Sequence, residues 1–393
     1  MQKIGISETR CDSRFANESK APFSSNNIRL SGCEWVIVGI VCSALFYLGP
    51  ILWERFEKFE PEPAYRLPYN LSSDYWLYKR YCRWACSRHE TLIIGDSVVW
   101  GHYVSKEHTL SQYLNQKAGQ NQFANMGVDG FHPAALAGLL RYYGRDISGK
   151  NVIIHLNPLW MSSKKHDLQI DKEFHFNHPK LVSQFIPKIP CYKDSYSRRI
   201  SAAVERYMPF LSWTSHLKIA YFDNMDLPAW TMDNPYKNPL GAVTLELPAS
   251  EKYDQQEHVS WTEKGIAKED FQWVELTTSL QWSFFRQTID LLKARNNTVF
   301  VLVGPFNEHM LDTESHNAYR KIKNEIEIWL RQNNVAYYIP PALPSELYRD
   351  ASHPLAEGYA ILAGQLFENQ SFKSSILHIS RNFASPDLFL SLY

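Results

Sequence analysis

The sequence predicts an α/β fold built on a parallel sheet, and three observations carry this. Five short runs, at 91–94, 122–127, 151–157, 298–303 and 336–339, read as strands, the first an apolar, β-branched and buried one. Helical patterns stand between them, so successive strands are joined by right-handed crossovers. The first three runs end at Gly95, Gly127 and Asn157. Glycine permits a sharp exit from a strand, and open parallel sheets build their sites at that carboxyl edge.

The chain has 393 residues, 45% of them hydrophobic, and no net charge. That length supports a full core, and neutrality argues against a nucleic-acid partner. The six cysteines show no paired C-x-x-C spacing, so a zinc ribbon is not expected. Cys82 and Cys86 are four apart, so on a helix they would share a face, which leaves a short-loop disulfide or, as the preferred reading, two free buried thiols.

In chain order, residues 1–34 are polar and rich in Ser and Asn, which reads as a disordered tail. Residues 35–53 then run 19 positions without a charge, bounded by Trp35 and Trp53. That length suits one bilayer crossing, and tryptophans suit its interfaces. Leu30-Ser31-Gly32-Cys33 looks like a lipoprotein cleavage box but precedes the apolar run. No small-residue cleavage site follows it, so the span reads as an uncleaved anchor. Five basic residues precede the span (Lys3, Arg10, Arg14, Lys20, Arg29) and three follow it closely (Arg55, Lys58, Arg66). Within 15 residues on each side the bias reverses to two against three, so charge alone leaves the orientation open.

Residues 54–90 read as a charged, proline-bearing linker, with the fold proper over 91–372. Helical periodicity places helices at 108–117 and 133–143, the latter with Pro133 in its first turn. Residues 162–275 break the rhythm and read as an insertion over the carboxyl edge of the sheet. It contains one clear helix, with Tyr196, Ile200, Ala203, Val204, Tyr207 and Leu211 on its apolar face. Its length predicts a lid or binding element that overhangs Ser97 and lines a cleft with Trp and Tyr side chains. Trp213, Trp230, Trp261 and Trp273 would stack on sugar rings there, although aromatics more often fill cores. Helices follow near 276–291, 319–332 and 355–368, and 373–393 is a tail.

Ser97 sits on the turn after the first strand. A serine nucleophile needs a base, an orienting acid and an oxyanion hole. Parallel strands set the ends at Ser97, Gly127 and Asn157 side by side. The Ser97 and Gly127 N–H groups and the Asn157 amide then suit a developing oxyanion. Asp350 and His353 are three apart, which puts both side chains on one side of a helical turn. The acid can hold one imidazole nitrogen while the other faces Ser97. Asp96 reads as a structural residue bonded within its own turn. His102 and His155 read as loop and strand-end residues. His166, His175 and His178 lack metal-binding spacing, and no metal or cofactor is called for.

Gly95-Asp96-Ser97, Asn125-Met126-Gly127-Val128-Asp129-Gly130, Asn157 and Asp350-x-x-His353 resemble the four sequence blocks of the SGNH (GDSL-like) hydrolases. The resemblance covers about residues 91–161 and 276–370. It implies a flavodoxin-like three-layer α/β/α fold, with Ser97 as nucleophile, Gly127 and Asn157 as oxyanion donors, His353 as base and Asp350 behind it. Two departures stand out. The third block, usually Gly-x-Asn-Asp, reads His155-Leu156-Asn157-Pro158, and Val98 replaces the usual Leu. An anchor followed by such a domain resembles the membrane-anchored branches that move or remove acyl groups on surface polymers. That branch implies an extracytoplasmic domain, an acylated carbohydrate polymer or small ester as substrate, and a membrane-bound acyl-donor partner. Three functions compete on the sequence: an anchored esterase, an acyltransferase using the same machinery, and a non-catalytic polymer-binding or assembly subunit. A lipase-like esterase for small lipid esters is a further alternative.

Overall fold

The structure is a computed structural model that describes residues 30–247 and 258–377. The tail expected at 1–34 falls almost wholly outside the described residues, as does most of the 373–393 tail. The chain divides into two compact units, residues 1–51 and 52–393. The described part of the first belongs to α1 (Gly32–Phe56), a helix of 25 residues that is long and apolar enough to cross a membrane. Trp35, Ile37, Ile40, Leu45 and Leu48 are all exposed, so its apolar surface is not that of a buried core helix.

The second unit carries one parallel sheet of five strands, each where the sequence predicts it. These are β1 (Thr91–Ile94), β2 (Phe123–Asn125), β3 (Asn151–Leu156), β4 (Thr298–Val303) and β5 (Ala336–Tyr338). Their order is β2-β1-β3-β4-β5, with Thr91 beside Phe123 and Asn151, Asn151 beside Thr298, and Phe300 beside Ala336. This is a doubly wound order that reverses between β1 and β3, where such sheets place their ligands.

Alternation along each strand divides the core between the two faces. Leu92, Ile94, Val152, Ile154, Val299 and Val301 face one cluster. It is closed by α2 (Tyr75–Arg88), α5 (Pro133–Tyr142), α10 (Leu280–Ala294) and α11 (Thr313–Gln332). Ile93, Ile153, Phe300 and Leu302 face the other, closed by α4 (Leu110–Ala118) and α12 (Ala356–Glu368). Both faces of the sheet are therefore covered, which makes three layers.

Two expectations need correction. The segment 54–90 is not simply a linker, because α2 within it buries Tyr75, Leu77, Tyr78, Tyr81, Cys82 and Ala85 in the core. Charged and polar residues are interleaved with these apolar ones, which hid the helix. Cys82 and Cys86 lie on α2 as free thiols.

The second correction concerns the insertion. It holds α6 (Tyr196–Glu205), α7 (Pro209–Tyr221), α8 (Leu227–Asp233) and the short α9 (Pro239–Ala242). Its tryptophans form packed aromatic contacts rather than open stacking platforms, while its His258 ring packs 5.0 Å from Tyr103, itself packed on His353. Trp213 packs on Phe210 and Trp53, Trp230 on Phe222, and Trp261 and Trp273 join a cluster with Phe271, Phe306 and Tyr319. Rings of this size contribute most where they are buried. His216 of α7 docks on the lead-in segment. Its Nδ1 lies 2.5 Å from Asp74 and its Nε2 2.8 Å from Glu57.

Candidate active site

β1 ends at Gly95, and α3 (Ser97–Trp100) starts at once. A side chain at Gly95 would lie 2.6 Å from Val99 Cγ2 and 2.7 Å from His155 Cβ, so only glycine permits the turn. Ser97 occupies the first position of α3, where a backbone N–H has no earlier helical carbonyl to bond. Three contacts buttress this turn. Buried Arg66 donates to the Trp100 and Gly101 carbonyls, Trp100 donates to Leu67 O, and Tyr359 of α12 donates to Val98 O at 2.7 Å.

Asp350 and His353 lie in the loop before α12. His353 Nε2 is 2.8 Å from Ser97 Oγ. His353 Nδ1 is 2.8 and 2.9 Å from the two Asp350 oxygens. Asp350 also accepts the backbone N–H groups of Ser352 and His353, which fixes its plane. Burial alone would raise the Asp350 carboxyl. The charge and hydrogen bond of His353, with those two N–H groups, carry it below its ordinary value. Burial acts to lower His353, but Asp350 and, more weakly, Asp96 and Asp129 hold it above the ordinary histidine value. Ser97, His353 and Asp350 thus form one hydrogen-bonded chain, as the sequence predicts, with Ser97 8% exposed.

The two other predicted residues reach the same edge. Asn157 follows β3 and donates its side-chain N–H to Asp96 Oδ2 at 2.8 Å, while its oxygen caps the Leu159 N–H at 3.0 Å. These two bonds use the amide oxygen and one of its two N–H groups. Gly127 follows β2 and lies against the backbone of α3, where a Cβ would come within 2.3 Å of Trp100 N. The Gly127 N–H donates to Asn125 Oδ1 at 3.0 Å, so it serves an oxyanion only by sharing that bond.

Asp96 does more than the sequence reading assigns to it. It caps its own turn through Val98 N at 3.0 Å, as expected. It also accepts from Asn157, Trp160 Nε1 at 3.0 Å and His155 Nδ1 at 3.1 Å. Burial would raise this carboxyl, but His155, Asn157 and His353 bring it below its ordinary value. Asp96 therefore ties the Ser97 turn to the Asn157 loop. His155, near the end of β3, bridges Asp96 and the Gly304 carbonyl through its ring.

Beside His353 stand two residues the sequence reading set aside or missed. His102 lies with its ring 5.4 Å from the His353 ring and its Nδ1 2.8 Å from Asp129 Oδ1. Tyr103 adopts φ 68°, a strained conformation for a bulky residue, and sets its ring edge-on to His353 at 5.4 Å. Arg349 lies 5.4 Å over that ring. His178 bonds Tyr75 and the Asp129 carbonyl, and His166 bonds Ser162. Among the described residues no group of three His, Cys, Asp or Glu side chains could hold a metal ion.

The fold and site define an α/β protein with a doubly wound parallel sheet and a Ser–His–Asp chain at its switch point. No protein-family model matches the chain, and a search of curated proteins returns no match.

Proposed function

We propose that the chain is an SGNH-type serine enzyme, a membrane-anchored esterase or O-acyltransferase. It acts on ester-linked acyl groups, O-acetyl foremost, of a cell-surface polysaccharide. The observation that carries the reading is the hydrogen-bonded chain Ser97–His353–Asp350 at the carboxyl edge of the sheet. The apolar helix α1 supports the anchor, with residues 54–393 outside the membrane on the resemblance to surface-polymer enzymes.

In this reading the chemistry is acyl transfer through a serine ester. Ser97 Oγ attacks the ester carbonyl as His353 Nε2 takes its proton, and Asp350 stabilises the resulting imidazolium. The carbonyl oxygen gains the negative charge and is met by the Ser97 N–H and the Asn157 amide, with Gly127 beside them. Collapse breaks the bond to the alcohol oxygen, which receives the proton from His353, and leaves an acyl group on Ser97. Water or a sugar hydroxyl then gives its proton to His353 and attacks the acyl carbon. That releases an acid or a new ester and restores Ser97. Both outcomes share the acyl-enzyme.

The test is to incubate the protein with an activated acetyl ester, with and without oligosaccharides, and to follow acetate and acetylated sugar. Acyl release that depends on Ser97 supports the reading, and the product ratio assigns hydrolase or transferase. No turnover of activated or carbohydrate esters, or turnover confined to lipid esters, refutes it.

A further inference from the structure

The apolar face of α6 is periodic in sequence, and such a face ordinarily packs on a core. In the structure it does not. Tyr196, Ile200 and Val204, spaced four apart, are exposed, as is Tyr207 just beyond the helix, and only Ala202 of α6 is buried. Phe185 and Ile186, on the loop before the helix, extend the exposed apolar surface, Ile186 being 91% exposed. Clusters of exposed apolar residues mark sites of interaction.

A cavity of about 330 Å³ opens beside this stripe, against α5. Phe185, Ile186 and Tyr207 border it, and Arg141 and Arg206 project into its lining without any acidic residue. Arg206 is fixed by donating to the Lys180 and Val182 carbonyls and lies 4.6 Å over the Tyr142 ring. Among the described residues neither arginine pairs with a carboxylate. The surrounding stretch 180–207 carries six basic residues (Lys180, Lys188, Lys193, Arg198, Arg199, Arg206) against Asp194 and Glu205.

We propose that this face is a membrane-contact surface, with the α6 stripe lying on the bilayer interface and an anionic phospholipid headgroup held by Arg141 and Arg206. An apolar stripe flanked by Lys and Arg is the pattern of helices that lie in the interface, and basic clusters select anionic lipid. The proposal rests on the membrane placement given above but not on the acyl chemistry.

The test uses the full chain in detergent, in nanodiscs of phosphatidylcholine and in nanodiscs containing phosphatidylglycerol, with hydrogen exchange read over 181–207. Exchange should slow only in the anionic discs, and 0.5 M salt should reverse much of the effect. Arg141→Gln, at an exposed position, should weaken the protection by about five-fold, one basic contact's worth. Ile200→Ser should weaken it while leaving Ser97 reactivity unchanged. Equal exchange in all three media overturns the proposal. So does equal protection in detergent, which points to a second copy or a protein partner. A chain that fails to enter discs at all refutes the anchor as well, and Ser97 reactivity, measured separately, reports on the catalytic reading alone.

Discussion

Asp96→Asn isolates the residue that ties Ser97, the proposed nucleophile, to Asn157, the proposed oxyanion donor. The carboxylate uses Oδ1 for Val98 N and His155 Nδ1, and Oδ2 for Asn157 Nδ2 and Trp160 Nε1. An asparagine offers one oxygen and one NH2. Turned so that the NH2 meets Asn157 and Trp160, it sets donor against donor twice. Turned the other way, it meets His155 Nδ1, which can accept once its proton resides on Nε2 facing Gly304 O. The second orientation is the cheaper. It loses the Val98 cap, costing about 1 kcal/mol. It also converts the bonds with Asn157, Trp160 and His155 from charge-assisted to neutral, costing about 1 kcal/mol each. The sum is a loss of about 4 kcal/mol in stability, read as a shift in the denaturation midpoint. Turnover of an activated acetyl ester should fall by roughly five- to ten-fold, if about 1 kcal/mol of the hold on Asn157 is passed to the transition state. In an Asn157→Ala background the same change should leave turnover almost unaffected, because the two act through one device. Unchanged stability, or effects on turnover that multiply in the double variant, would refute the role assigned to Asp96.

Asn157→Ala by itself should lower turnover by about 100- to 1000-fold while the protein stays folded, the usual effect of removing one oxyanion donor. Circular dichroism and initial rates check it. His353 must be neutral to act as base, and it is held above the ordinary histidine value. The acid limb of kcat/KM should therefore fall above about pH 6.5. Asp350→Asn removes the main charge that raises it, so the limb should move to lower pH as the rate drops. His216 has a folded value pushed up to about 9, against burial, by Asp74 and Glu57. A raised value contributes stability that is full below the unfolded value and is lost as pH rises through the folded one. Thermal stability should thus decline between about pH 6.5 and 9, and His216→Gln should flatten that decline. Gly127→Ala forces a Cβ into the α3 backbone and should destabilise the protein by about 1–3 kcal/mol, with loss of Ser97 reactivity.

All five strands were legible because each is a short apolar run ended by a residue of special backbone or capping character. Gly95 and Gly127 mark real close approaches, and Asn157 caps the turn that follows it. The hydrogen-bonded chain was legible because Asp350 and His353 sit three apart, and fold order brings them to Ser97. The α2 helix was not, since Arg80, Arg83 and Arg88 between its apolar residues give the look of a linker. Nor were Arg66, Tyr103 and Arg349, whose roles depend on contacts distant in sequence. Asp96 was visible as a turn residue only, because its partners Asn157 and Trp160 are brought in by the neighbouring strand. The apolar period of α6 was legible, but the one helix read through Leu211 is two, with Leu211 on α7. That the α6 face stays exposed is a tertiary fact that periodicity does not contain.

The most direct test of the central claim is to trap the serine. The full chain in detergent, treated with a fluorophosphonate, should gain one phosphonyl group on the peptide containing Ser97. Labelling should vanish in Ser97→Ala and slow sharply in His353→Ala, because the base that activates the hydroxyl is gone. Labelling that persists in Ser97→Ala, or a wild-type chain that stays unlabelled while a known serine esterase reacts beside it, would contradict the account.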